Sequence, residues 1–338
     1  MQPPKMIVLD EEPTDQEHGW IPSARPAQEM LEYGLVPLDK PRGPTSHEVV
    51  AWTKKLLGVE KAGHSGTLDP PVSGLLPIGL GQSTRALSLL LLFPKEYKGV
   101  MRIHSSVPRK QLENVLAEFT GEIFQRPPQR SSVSRQTRSR TIYEFELTES
   151  QGNLYLFRVL CQSGTYIRKL VYDIGEVLGV GATMVELRRT KVGPLTEAEG
   201  LVTLHQLSDA MYRLKGGEEA PLRKLVMPIE ESLGSIGRIV IRDSAVEAVC
   251  HGARLGIPGV LSISSGVKKD DTIALMSAKL ELVAIGKALL TTEEVQTLHH
   301  GLASTTERVV MKSGTYPKLW KSQSAKKKNV GLKVSSPN

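Results

Sequence analysis

The sequence predicts an α+β protein of two domains flanked by charged extensions. Three observations carry this. Strand-like and helix-like runs mix through the middle of the chain without a regular βαβ rhythm. Near Leu233 the composition changes to short β-type runs split by Gly, Lys and Asp. The 338 residues, 40% of them hydrophobic, suffice for two cores, since single domains cluster near about 100–200 residues.

Residues 1–32 read as an extended acidic arm. Within residues 1–30, Asp10, Glu11, Glu12, Asp15, Glu17 and Glu29 stand against Lys5 and Arg25, and prolines punctuate the stretch. Residues 33–232 read as the first domain. "LVPLDKPRGPTS" is a short apolar strand entering a Pro/Gly turn. "TSHEVVAWTKKLLG" opens a helix with a Thr45/Glu48 capping box; Val49, Thr53, Leu56 and Leu57 form its face and Gly58 ends it. "KQLENVLAEF" (110–119) is a second amphipathic helix. "LYLFRVLCQSG" is a strand, and "TYIRKLVYDIGEVLGVG" a helix with Tyr166, Leu170 and Ile174 on one side. The linker "YRLKGGEEAPLRKLVMPIEE" leads into a small β-rich domain at 233–312, and a Lys-rich tail follows at 313–338.

Bulk properties narrow the function. Lys and Arg number 43 against 36 acids, a net charge of +7, which favours a polyanion partner without requiring one. Two cysteines without C-x-x-C spacing give no metal knuckle and fit a reduced, cytoplasmic setting. The N-terminus has no signal-peptide pattern, and no apolar run is long enough to span a membrane. "GLGQST" and "GVGATM" lack the third glycine of a dinucleotide fingerprint, and "IGKAL" lacks the upstream glycine of a phosphate loop. The histidines show no metal-ligand spacing. No metal or nucleotide cofactor is expected.

"AGHSGTLDPPVSGLLPIGLG" (62–81) holds a single carboxylate, Asp69. Asp before Pro initiates turns, and "TLDPP" read locally is a turn. Its surroundings add a second reading. Gly63 and Gly66 allow backbone to approach a ligand, Ser65 and Thr67 offer hydroxyls, and the apolar run that follows can form a dry wall. A carboxylate so placed can act as nucleophile or base if a cation keeps it charged. Arg168, in "SGTYIRKL", opens a helix where the dipole disfavours a cation, so an ion pair would account for it.

With these residues in place the chain resembles the TruB/dyskerin family of RNA pseudouridine synthases. "LDKPRGPTSHEVV", "GHSGTLDPPVSGLLPIGLGQSTR", "KEY", "SGTYIRKL" and "VGATMVELRRT" occur in the family's order, and "RDSAVEAVCHGARLGIPGV", "KKDD" and "LVAIGKALL" resemble a PUA domain. The likeness spans roughly Tyr33 to Trp320. The short connection after "FTGEIFQRPPQRSSVSR" and the closing "YPKLW" resemble the archaeal dyskerin-type branch; Pro94 departs from the glycine expected before Lys-Glu-Tyr, which bears on loop shape only.

The resemblance implies a mixed-sheet catalytic domain followed by a small, barrel-like PUA domain. It implies Asp69 as catalytic aspartate, Tyr97 stacking on the target uracil, and Arg168 pairing with Asp69. Tyr166 and Leu187 would complete the pocket, although Leu187 by itself reads as core. His64 would lie near the flipped base. Lys40, with Pro41, would brace the active-site loop or touch phosphate. Five arginines and no acid in 125–140, Arg126, Arg130 and Arg135 among them, suggest a mobile basic loop on RNA. Arg242, Gly252, Arg254 and Lys268 are the RNA-binding candidates of the PUA-like domain, and the acidic arm is expected to fold back on it. The implied substrates are tRNA and rRNA, the latter through a box H/ACA guide RNA with small partner proteins. The alternatives are a stand-alone tRNA enzyme and a non-catalytic RNA scaffold; a hydrolase built on His64 and Asp69 lacks further metal ligands.

Overall fold

The computed structural model describes residues 4–126 and 136–318, which divide into two units, 22–236 and 5–21 with 237–318. The second unit opens the chain with β1 (Met6–Val8).

The first unit runs α1 (Ala27–Tyr33), β2 (Gly34–Lys40), α2 (Ser46–Leu57), β3 (Ala62–His64), β4 (Ser73–Leu80), α3 (Leu87–Leu90), β5 (Lys95–Ile103) and α4 (Arg109–Glu118). It continues with β6 (Gly121–Gln125), β7 (Arg138–Gln151), β8 (Leu154–Cys161), α5 (Ile167–Val177), β9 (Ala182–Val192), β10 (Leu195–Thr196), α6 (Leu204–Lys215), α7 (Ala220–Arg223) and β11 (Met227–Pro228). A ten-stranded sheet in the order β11-β2-β4-β9-β5-β8-β7-β6 organises it, with β3 paired to β4 and β10 to β9. Only the β4–β9 pair is parallel. That pair brings the strand after Asp69 beside the strand that carries Leu187 and Arg189.

Local chemistry explains the helices. At α2, Thr45 accepts from the Glu48 amide while the Glu48 carboxylate accepts from the Thr45 amide, and Gly58 ends the helix in the left-handed region at φ +64°. Val49, Thr53 and Leu57 are its buried face. In α5, Leu170, Val171 and Ile174 are fully buried, at the spacing of one helical face. β4 alternates less than a half-exposed strand would: Leu75, Leu76, Ile78 and Leu80 all have no exposure, because the sheet is covered on both faces there. The apolar wall expected beside Asp69 is therefore mostly core.

The second unit adds β12 (Gly237–Ile241), α8 (Asp243–Cys250), β13 (Leu255–Gly256), β14 (Val260–Ser264), β15 (Thr272–Met276), β16 (Leu282–Lys287), α9 (Thr292–Thr297), β17 (Leu302–Ser304) and β18 (Arg308–Val309). Its sheet has the order β1-β14-β12-β15-β16-β18, and β13 pairs with β17 separately.

Three boundaries need correction. The acidic segment is not one arm: residues 5–21 belong to the second unit, whereas α1 and the buried Arg25, bonded to Glu230, belong to the first. The first unit extends to Ile236 rather than 232. The segment from 313 begins inside the second unit, where the Gly314 amide donates to Glu247 and Tyr316 is buried on Glu281; residues 319–338 lie outside the described ones. Residues 5–21 hold on chiefly through backbone. β1 forms an antiparallel ladder with β14, the Leu9 amide donates to Leu261, and the Trp20 amide donates to the buried Glu281 carboxylate.

Candidate active site

Asp69 stands in a turn closed by the Val72 amide on the Asp69 carbonyl at 3.0 Å. The local turn reading thus holds. Both flanks of the turn are fastened. The Ser46 hydroxyl exchanges hydrogen bonds with the Leu68 amide and carbonyl at 2.9 and 3.0 Å. The Lys40 ammonium donates to the carbonyls of Pro41 (2.9 Å), Pro70 (3.2 Å) and Val72 (2.9 Å). Lys40 has no exposure, so the phosphate contact is not open to it and the brace is. Burial pushes its pKa down, while the charge of Asp69 pulls it back up.

Arg168 Nη2 reaches Asp69 Oδ2 at 2.7 Å, across 99 residues of sequence. The two side chains are 57% and 55% exposed, so the pair is open to solvent rather than enclosed in a pocket. Among the described residues no donor reaches Oδ1. Tyr166 is the N-cap residue of α5, with extended backbone (φ −94°, ψ 96°). Its amide donates to Gln125 Oε1 at 2.9 Å and its carbonyl accepts from Gln125 Nε2 at 3.2 Å. One buried side-chain amide at the end of β6 thereby sets where α5 begins, and with it Arg168. Glutamine in a basic, Pro-rich stretch gave no signal of this in the sequence.

Tyr97 is half-buried on β5, directly opposite Arg189 on β9. Burial pushes its phenol up, and the Arg189 guanidinium beside it acts in the opposite sense. Arg189 is 1% exposed; it donates to Leu75 O at 2.8 Å and Gly66 O at 3.1 Å. Two residues before Tyr97, buried Lys95 donates to the carbonyls of Leu90 (2.9 Å) and Phe93 (2.7 Å) and to Ser163 Oγ (2.9 Å). Burial and the nearby Arg189 charge lower its pKa to about 8. Neither Lys95 nor Arg189 was singled out from sequence, although "KEY" and "LRRT" contain them. A buried cation leaves no local pattern when its partners are backbone carbonyls, which every residue supplies.

Leu187 is 5% exposed within the main core, in keeping with its bland reading. His64 closes β3 against His47, their rings T-shaped with centroids 5.2 Å apart. Among the described residues its buried Nδ1 has no partner, and burial, His47 and Arg189 lower its pKa.

Of the peripheral candidates, Arg126 is exposed, while Arg130 and Arg135, and with them most of the basic loop, lie outside the described residues. Gly252, Arg254 and Lys268 are exposed in the second unit. Arg242 is not a free cation. It bonds to Asp10 and Glu12 and to the Pro258 carbonyl at 2.8 Å, because the acidic stretch after β1 passes alongside it. No group of His, Cys, Asp or Glu among the described residues could hold a metal ion, and no helix there is long and apolar enough to cross a membrane.

Comparison with known proteins decides the family. The chain is 50% identical over 308 residues to a probable tRNA pseudouridine synthase B of Methanosarcina barkeri, covering 91% of each, and 49% identical over 318 residues to that of Pyrococcus abyssi, covering 94% and 95%. The chain belongs to the TruB family of pseudouridine synthases. The family's N-terminal domain matches residues 54–167 and its tRNA pseudouridylate synthase B C-terminal domain 168–234; a DKCLD domain matches 2–50 and a PUA domain 237–310. Among solved structures, the archaeal box H/ACA Nop10–Cbf5 complex matches with a TM-score of 0.87 at 46% identity, covering 94% of this chain and 99% of that one. An H/ACA ribonucleoprotein bound to a substrate RNA containing 2′-deoxyuridine matches with 0.87 at 45%, covering 94% and 98%. This TruB-family chain therefore carries the dyskerin-type arrangement of catalytic and PUA domains that its motifs suggested.

Proposed function

We propose that this chain isomerises uridine to pseudouridine in tRNA and, directed by an H/ACA guide RNA with small partner proteins, in rRNA, within the cytoplasm. The observation that carries the reading is the Asp69–Arg168 pair at 2.7 Å. It lies near Tyr97, whose phenol feels the Asp69 charge, in a chain 45–50% identical to pseudouridine synthases and H/ACA structures.

The reaction breaks the N1–C1′ bond and rejoins the base through C5; N1 gains a proton, C5 loses one, and no atom or energy source is consumed. Arg168 holds Oδ2 of Asp69 and leaves Oδ1 without a donor among the described residues. In this reading that oxygen attacks the sugar or the base, or takes a proton. A flipped uracil on the half-exposed Tyr97 ring regains about 1–3 kcal/mol of stacking. Tyr166 borders the same site at the head of α5, and Leu187 supports it from the core. Because the pair is open to solvent, the RNA itself supplies the closure. Exposed Arg126, Arg254 and Lys268 serve as phosphate contacts. Arg242 is committed to Asp10 and Glu12.

The test is pseudouridine formation on an unmodified tRNA transcript, then in a guide RNA particle, for the wild type and Asp69→Asn. Activity in the wild type and none in the variant is expected. An Asp69→Asn protein with full activity, or a wild type inactive in both settings, overturns the proposal; the latter favours an RNA-binding scaffold.

A further inference from the structure

We infer that Arg189 is a positioning residue for this reaction, holding the loop that carries Asp69 and the ring of Tyr97 in one fixed relation. The inference rests on the pseudouridine synthase reading above.

Arg189 occupies the crossing of three strands. It pairs with Gly74 across the parallel β4–β9 contact and with Tyr97 across the antiparallel β5–β9 contact. Directly opposed residues share a face of the sheet, so Arg189 and Tyr97 point the same way. The guanidinium spans three segments. Nε holds Leu75 O in β4, Nη2 holds Gly66 O in the loop three residues before Asp69, and the residue faces Tyr97 on β5, whose phenol feels its charge. Gly66 itself has φ +81°, the left-handed backbone that favours glycine.

The charge itself asks for an explanation. A buried guanidinium without a carboxylate is costly, and among the described residues none lies within ion-pair distance of Arg189. Its neighbour Arg188, on the opposite face, pairs conventionally with Asp39 and Glu197. What Arg189 has instead is a fork of donors, each facing a group tied to the site. Tyr97 stands directly opposite Arg189 on the neighbouring strand, where the guanidinium charge acts on its phenol. Asp69 is held from the far side of its own turn. Lysine keeps the charge but not the fork.

The test uses the full chain and whichever RNA setting supports wild-type activity, with Asp69→Asn as the inactive control. Arg189→Met, Arg189→Lys, Tyr97→Phe and Arg189→Met with Tyr97→Phe are compared for kcat per folded molecule, KM and RNA affinity. For Arg189→Met we expect kcat about 100-fold lower, the scale of an ångström-sized misplacement, with RNA affinity within about twofold of wild type. Arg189→Lys is expected near a tenfold loss, and the double variant no worse than the poorer single one, as for residues acting as a unit. A folded Arg189→Met protein with wild-type kcat, or losses that multiply in the double variant, overturns the inference. If Arg189→Met does not fold, Arg189→Lys with and without Tyr97→Phe decides by the same criteria. An inactive wild type in both RNA settings would overturn the functional reading itself.

Discussion

Lys40→Met separates a brace from an RNA contact at one residue. Methionine keeps the length and apolar stem of the side chain and removes three donors, those to Pro41, Pro70 and Val72 at 2.9, 3.2 and 2.9 Å. A buried carbonyl left unsatisfied costs about 1–3 kcal/mol; Pro70 O keeps the Gly43 amide at 2.8 Å, so the other two bound the loss at roughly 2–6 kcal/mol. Two effects reduce it. Burying the Lys40 ammonium is itself unfavourable, which is why its pKa is lowered, and water can reach part of the turn. A net destabilisation of about 3 kcal/mol remains, or roughly 6–12 °C in Tm for a unit of this size. Two of the three carbonyls that lose Lys40 follow Asp69 in its turn, so kcat is expected to fall about 10- to 100-fold as the carboxylate loses its place. RNA affinity and its salt dependence stay at wild-type values. The assay pairs thermal unfolding with pseudouridine formation and with RNA binding across a salt series. A Lys40→Met protein with unchanged Tm and kcat, or one whose salt slope drops by about one phosphate contact, refutes the reasoning.

Three further outcomes follow from buried charge and buried sulfur. Arg25 and Glu230 form a bidentate pair at 2.9 Å, 3% and 8% exposed; Arg25→Met strands the carboxylate and is expected to cost about 3–5 kcal/mol in urea unfolding, while adding Glu230→Leu recovers most of it. Lys95 has its pKa lowered to about 8 against an ordinary 10.5. Between those values the unfolded chain holds the proton that the native one has lost, so stability rises with pH in that window and is lowest below pH 8. The stability of wild type relative to Lys95→Met is therefore expected to be flat below about pH 8 and to climb toward pH 10.5 in denaturant titrations; a flat difference throughout contradicts it. Burial pushes the thiols of Cys161 and Cys250 up to about 12, so mass spectrometry is expected to find neither alkylated by iodoacetamide at pH 7.5 in the native protein and both alkylated in denaturant.

Much of this protein is local and therefore legible in its sequence. The capping box at Thr45, the face of α5, the change to β-type runs and the turn at Asp69 each depend on residues within a few positions of one another, where steric and hydrogen-bonding preferences act directly. The order of the motifs was enough to name the family and to pair Arg168 with Asp69 across 99 residues. Contacts between distant segments were another matter. Whether Lys40 faced phosphate or three carbonyls depended on β2 lying against β4, with Lys40 opposite Gly74. Whether Arg242 was free depended on β1 pairing with β14 and drawing Asp10 and Glu12 alongside. Gln125, Lys95 and Arg189 carried no local signal, because their partners are backbone carbonyls, amides and hydroxyls that every sequence supplies. Main-chain groups are the same at each position, so only the folded chain selects which of them a buried side chain meets.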